Sequence, residues 1–202
     1  MKFFVIEGLD GSGKTTQTRR VGEWFAAKKL PCYVTRQPSD GAIGKLARAA
    51  TQGAFPIETE ALSLLFAAEH VNHFHEKILP ALNRGEYVIC DRYYYSNLVY
   101  QGADSAAFER ILAYNQAVMN ARKPDAVFFL DVAPEESMRR ISARRSQASI
   151  FEVLDKLKIF RERYIETFER LKKTENVFII ESTDKNDVFE KIMNKIRPLC
   201  EK

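Results

Sequence analysis

The chain has 202 residues, 46% hydrophobic and 29% charged, with a formal net charge of +4 at pH 7. It is long and apolar enough for one domain with a full core, and its positive charge is too small and too dispersed for duplex nucleic acid as a partner. Cys32, Cys90 and Cys200 are odd in number and far apart, which favours reduced thiols in a cytoplasmic protein over a disulfide framework; no run reaches membrane length and no secretory pattern opens the chain.

In chain order, five short runs rich in β-formers stand out: Lys2–Glu7, Cys32–Thr35, Tyr87–Asp91, Ala126–Asp131 and Val177–Glu181. Val88-Ile89-Cys90 and Val127-Phe128-Phe129-Leu130 are apolar on successive residues. Strands covered on both faces read that way, so a parallel sheet between helical layers is expected. Helical spacing fills the connections, with Thr15 to about Lys28, Glu58–Asn72 and Phe108–Ala121 as the strongest patterns. Pro134 followed by Glu135 and Glu136 marks a helix start, and Asn186-Asp187 opens a last helix expected to end near Pro198. The fold class is α/β, a five-stranded parallel sheet flanked by helices on both faces, with residues 1–202 forming one domain.

The first strand runs into Gly8-Leu9-Asp10-Gly11-Ser12-Gly13-Lys14-Thr15, followed by Thr16. Glycine, any four residues, then Gly-Lys-Ser/Thr, between a strand and a helix, is a phosphate-binding loop. Its glycines free backbone N–H groups to point into one hollow, and the helix start adds donors and a positive dipole end. Lys14 supplies a charge for the β- and γ-phosphates of a nucleoside triphosphate, and the Thr15 hydroxyl is a magnesium ligand. Asp91-Arg92 stands at the carboxyl end of the third run, where open parallel sheets bind ligands. Asp91 there suits magnesium or its waters, a helix N-cap being the plainer role. Arg36, in Thr35-Arg36-Gln37-Pro38, sits likewise after the second run and suits a bidentate phosphate clamp, against a plain surface arginine. The guanine-reading Asn-Lys-x-Asp motif is absent, since Asn194-Lys195 continues into Ile196-Arg197.

Several stretches taken together resemble the thymidylate kinases of the nucleoside monophosphate kinase group. They are the phosphate loop, Thr35–Pro38, Leu64-Leu65-Phe66-Ala67-Ala68-Glu69, Asp91-Arg92-Tyr93 through Ser96-Asn97 to Tyr100-Gln101-Gly102, Lys123-Pro124-Asp125, Leu130-Asp131-Val132 and Glu181-Ser182-Thr183. The resemblance implies a P-loop kinase fold, a homodimer, and in-line transfer of the ATP γ-phosphoryl group to dTMP with Mg2+. It puts Arg36 on the dTMP phosphate, Arg92 by the phosphates, and Asp10 near the acceptor sugar and orienting nearby arginines. Phe66 is then placed against thymine, Asn97 on the base edge, Tyr100 at the ribose 2′ position, and Gln101 on the same substrate side. Arg140, or its neighbour Arg139, takes adenine, and Thr183 closes over that base. Phe66 and Tyr100 also have ordinary packing roles open to them.

Two positions depart from the family pattern. His70 stands where the family has an arginine donating to thymine O4, and a histidine near its reference pKa of about 6.5 makes charge-assisted recognition pH-dependent. Ile150 precedes Phe151-Glu152 where short-lid relatives carry arginine. The resemblance then leaves Arg144 or Arg145, within a lid at residues 142–152, to reach the transferring group, a solvated basic face being the alternative. A kinase for another nucleoside monophosphate such as dUMP, and a nucleotide-binding paralogue without turnover, remain as alternative readings.

Overall fold

The computed structural model describes residues 1–142, 150–182 and 184–200. Its sheet holds five parallel strands, β1 (Phe3–Gly8), β2 (Cys32–Arg36), β3 (Tyr87–Asp91), β4 (Ala126–Asp131) and β5 (Val177–Glu181), in the order β2-β3-β1-β4-β5. The expected runs fall on these strands within a residue or two of their ends.

Side chains along the central strands divide by parity. Phe3, Val5, Val88, Cys90, Val127 and Phe129 enter one core, and Phe4, Ile6, Ile89, Phe128 and Leu130 enter the other. Both faces are therefore dry, which is why the strands read as continuous apolar runs. The second core is closed by α1 (Lys14–Ala27) and α10 (Lys185–Cys200), through Val21, Phe25, Ile192 and Ile196. The first is closed by α3 (Thr59–His73), α5 (Tyr94–Gln101), α6 (Ser105–Tyr114) and α9 (Ile150–Leu171). The short helices α2 (Ala42–Thr51), α4 (Leu79–Asn83), α7 (Gln116–Ala121) and α8 (Pro134–Ser142) complete the connections, with a π-helical turn at Phe74–Ile78 before α4.

Two helix boundaries differ from the expected ones. The pattern expected to run from Phe108 to Ala121 begins at Ser105, where the Asp104 carboxylate caps Ala107 N–H at 2.8 Å, and breaks at Asn115. Asn115 is wholly buried and turns its amide onto the Ile111 carbonyl and onto His70, so the break serves tertiary hydrogen bonds that periodicity does not show. The last helix continues through Pro198 to Cys200. Only the Asn194 carbonyl loses its donor there, which is tolerable in a final turn.

Strand register sets the site. Arg36 pairs with Asp91 on β3, and Asp91 pairs with Ile6 on β1, so the carboxyl ends of three strands lie level. The sheet order reverses around β1, whose end leads directly into the glycine-rich loop, and ligands of open parallel sheets bind at such a point.

Candidate active site at the carboxyl ends of the strands

Gly13 is the N-cap of α1 with φ 99°, a left-handed conformation that a side chain resists. Gly11 has φ 81°, and a Cβ on it would stand 2.7 Å from the Ser137 carbonyl, so the loop lies tightly under α8. Leu9 is buried in the first core and offers a ligand only its backbone; its carbonyl accepts from Ser12 N–H at 3.1 Å and from Lys14 Nζ at 2.7 Å. Lys14 is 6% exposed, and burial, helped by nearby Arg92, lowers its pKa to about 8. Thr15 and Thr16 face solvent, while Ser12 is buried with no partner for its hydroxyl.

The Thr15 hydroxyl donates to Asp91 Oδ2 at 2.6 Å across the gap from α1 to β3. This is a pair of hard oxygen donors at the helix start, the chemistry magnesium takes in preference to nitrogen or sulfur. Among the described residues no group of three or more His, Cys, Asp or Glu side chains gathers to hold a metal.

Arg92 has φ 72°, which turns its guanidinium from the sheet back over the loop. Its Nη2 meets Asp10 Oδ1 at 2.5 Å, and its Nη1 donates to Ser96 Oγ at 2.9 Å and to the Tyr164 hydroxyl at 3.0 Å. Below it lies the buried carboxylate of Glu7, which accepts from Tyr93 N–H at 2.7 Å, Ser96 Oγ at 2.8 Å and Tyr164 at 2.9 Å. Burial pushes the Glu7 carboxyl up in pKa, and Arg92 with these three bonds holds it down. Glu7 and Tyr164 stand outside the motifs legible in the sequence. Glu7 carried a legible signal, an acid ending an apolar run immediately before the loop; Tyr164 carried none, being one aromatic in a long amphipathic helix.

Arg36 reaches the same rim and is held, exposed, by Asp40 at 2.8 Å. The next residue, Gln37, donates its backbone N–H to the Asp91 carbonyl at 3.0 Å, which ties this loop to β3. On the other side, Arg140 lies 3.3 Å from the Gly11 carbonyl and 2.6 Å from Glu136, whereas among the described residues Arg139 bonds only Glu136. Arg140 is thus the member of the pair that touches the loop. Ser182 Oγ donates to the Ser12 carbonyl at 3.2 Å. Thr183, Arg144 and Arg145 lie outside the described residues.

On α3, the half-buried Phe66 has its ring centroid 6.2 Å from that of His70, whose ring in turn lies 6.2 Å from that of Tyr93, the residue after Arg92. His70 is not the donor expected from its position. It is 1% exposed, its Nδ1 meets Asn115 Oδ1 at 2.7 Å, and burial lowers its pKa to about 4, so no charge is available near neutral pH. Asn97 donates Nδ2 to the Ser63 carbonyl at 3.0 Å, and Tyr100 lies under Arg92 with the guanidinium 5.2 Å from its ring centre. Gln101, at the end of α5, is half-buried.

Around the carboxyl ends of the strands the site thus gathers the glycine-rich loop with Lys14 and Arg140, the Thr15–Asp91 pair, Arg36 opposite Asp91, and Arg92 bonded to Asp10, with α3 approaching through His70. The family model for thymidylate kinase matches residues 6–193. A probable thymidylate kinase of Thermococcus onnurineus (strain NA1) is 39% identical over 176 residues, covering 83% of this chain and 84% of the relative. Those of Pyrococcus abyssi (strain GE5 / Orsay) and Methanococcus aeolicus (strain ATCC BAA-1280 / DSM 17508 / OCM 812 / Nankai-3) are 36% identical over 201 residues and 37% over 205 residues. These cover 96% and 100% of the chain and 95% and 97% of the relatives.

Proposed function

The chain belongs to the thymidylate kinase family, and we propose that it carries out the ATP-dependent phosphorylation of dTMP to dTDP as one in-line transfer on the residues just described. An oxygen of the dTMP phosphate attacks the γ-phosphorus of ATP as the bond to the β–γ bridging oxygen breaks, leaving ADP. No general base is required, because a phosphate monoester with a second pKa of about 6 is already anionic at neutral pH. The observation that carries the reading is the level alignment of Ile6, Asp91 and Arg36 at the strand ends beside the glycine-rich loop, with the Thr15–Asp91 oxygen pair there and Arg92 bonded to Asp10 of the loop.

The chain's own work is alignment and neutralisation. Lys14 and the N–H groups of the loop hold the ATP phosphates, whose charge offsets the burial that depresses the lysine. Arg36 and Arg92 hold the acceptor phosphate, Asp10 fixing Arg92 in plane. Phe66 supplies a flat face for thymine and Asn97 a hydrogen bond to its edge, while Tyr100 and Gln101 bound the sugar side. Thr15 and Asp91 would hold Mg2+, which supplies charge neutralisation and phosphate orientation when bound. Arg140 and Thr183 take the adenine, and an arginine of the 142–152 lid, Arg144 or Arg145, reaches the transferring group.

Residues 1–202 act as a single kinase domain in this reading. A homodimer is part of it too, supported by Leu46 and Leu64, which are 48% and 47% exposed on the adjoining helices α2 and α3, where a second copy would cover them. No helix among the described residues is long and apolar enough to cross a membrane, and thiols at Cys32, Cys90 and Cys200 suit the reducing cytoplasm.

A coupled ADP-release assay with Mg-ATP across dTMP, dUMP, dCMP, dGMP, dAMP and UMP tests the proposal. Turnover led by dTMP is expected. Turnover led by another nucleotide would move the reading to a different monophosphate kinase, and tight ATP binding without ADP release would identify a non-catalytic paralogue.

A further inference from the structure

The hydrogen bonds around His70 fix its tautomer. Asn115 Nδ2 lies 2.9 Å from the Ile111 carbonyl. A carbonyl only accepts, so the amide nitrogen must face it, and Asn115 Oδ1 is the atom 2.7 Å from His70 Nδ1. An amide oxygen also only accepts. The proton of the neutral ring therefore sits on Nδ1, and Nε2 keeps a bare lone pair. Among the described residues Nε2 has no hydrogen-bond partner, so it is what His70 can offer a nucleotide, and burial keeps the ring neutral.

The same logic fixes Asn97. Its Nδ2 donates to the Ser63 carbonyl at 3.0 Å, leaving Oδ1 buried and without a partner. Ser63, Phe66 and His70 follow one another along one stripe of α3 at spacings of three and four. Asn97 and His70 thus each bring an acceptor to the helix that carries Phe66, and with the His70 ring neutral neither becomes a donor without breaking a buried hydrogen bond.

We propose that Asn115 is a positioning residue that holds His70 as a hydrogen-bond acceptor, so that the base pocket reads the donors on a pyrimidine edge and not its C4 carbonyl. This rests on the reading of Phe66, His70 and Asn97 as the acceptor-base pocket. Thymine offers one edge donor, N3–H, which suits Asn97 Oδ1, and its C4 carbonyl receives nothing from His70. Cytosine puts an amino group at C4, a donor that His70 Nε2 accepts, and an acceptor at N3 that opposes Asn97. Selection of 4-oxo over 4-amino pyrimidines then rests on Asn97 alone, and His70 works against it.

Two measurements test this. NMR of protein labelled with 15N-histidine reports the tautomer without any turnover. His70 protonated at Nδ1 and bare at Nε2 is expected, and a proton on Nε2 in the wild type overturns the proposal. The second is the ratio of kcat/KM for dTMP to that for dCMP in the wild type and in Asn115→Leu. Leucine removes the acceptor from Nδ1, freeing the ring to carry its proton on Nε2 and donate to the C4 carbonyl. The ratio is expected to rise about tenfold, the scale of one hydrogen bond made in place of one opposed. An unchanged ratio in a folded variant whose His70 proton has moved overturns the proposal. Should the variant fail to fold, the wild-type tautomer still decides. A wild-type enzyme that turns over no nucleotide, with the tautomer as expected, would instead overturn the proposed function and with it the base-reading half of the inference.

Discussion

The Tyr164 hydroxyl lies between Arg92 and Glu7, accepting from Arg92 Nη1 at 3.0 Å and donating to Glu7 Oε2 at 2.9 Å. A residue of α9 thereby fixes a guanidinium that leaves the end of β3, and a buried acid before the loop anchors both. Arg92 is held by Ser96 and Tyr164, which are bonded to each other and to Glu7.

Tyr164→Phe keeps the ring, which stacks on Phe129 and Phe168, and removes only the oxygen. The expected result is a kcat lowered about fivefold, the worth of one net hydrogen bond, with KM for ATP unchanged. A variant with wild-type kcat would mean that Asp10 and Ser96 suffice to hold Arg92.

The Thr15–Asp91 oxygen pair makes a separate claim. Asp91→Asn should raise the Mg2+ concentration for half-maximal rate by roughly 10- to 100-fold, the range seen when a group supporting a metal is replaced. A Mg2+ titration that superimposes on the wild type would remove Asp91 from the metal's surroundings.

The parts of this fold that were legible in the sequence are those dictated by local chemistry. Two dry sheet faces force continuous apolar strands, and the glycine-rich loop needs its residue types in a fixed order, so β1, α1 and the ends of β2 and β3 could be read directly. What could not be read depends on partners far along the chain. Asn115 breaks a periodic helix because Ile111 and His70 use its amide, 45 residues separating it from the histidine. Tyr164 reaches Glu7 across 157 residues. His70 reads as a donor from its position, and only its burial against Asn115 reverses that.

The lid arginines are predicted from the resemblance alone. An arginine on the transferring phosphoryl group is worth on the order of 10³–10⁵ in rate. Arg144→Ala or Arg145→Ala should therefore lower kcat by at least about tenfold in single-turnover assays, even if the neighbour substitutes in part. Wild-type rates in both variants would leave the lid without a catalytic part and shift the burden to Lys14, Arg36 and Arg92.

Acid should destabilise the protein through its buried histidines. His70 and His73 are both lowered from 6.5 to about 4, burial being the main cause for each. His73 is hydrogen-bonded at both ring nitrogens, its Nδ1 beside Gln37 Nε2 at 3.0 Å and its Nε2 beside the Thr35 hydroxyl at 2.8 Å. Because the unfolded chain takes up these protons first, their contribution is complete above pH 6.5 and is lost as the pH falls toward 4. Glu7 and Glu69, raised by burial, act in the opposite sense, so the histidine part is isolated by comparing the wild type with His73→Gln. The Tm difference between the two should shrink steadily from pH 7 to pH 4.5 (about one histidine's worth of linkage), and a constant difference would show that His73 titrates in the fold just as it does in the unfolded chain. Over the range where the enzyme is stable, the ratio of KM for dTMP to KM for dCMP should stay flat from about pH 6.5 to 8, since phosphate and Lys14 ionisation is common to both nucleotides and His70 holds no titrating charge there. A ratio that follows an ionisation near 6.5 would return His70 to the charged donor that its sequence position first suggests.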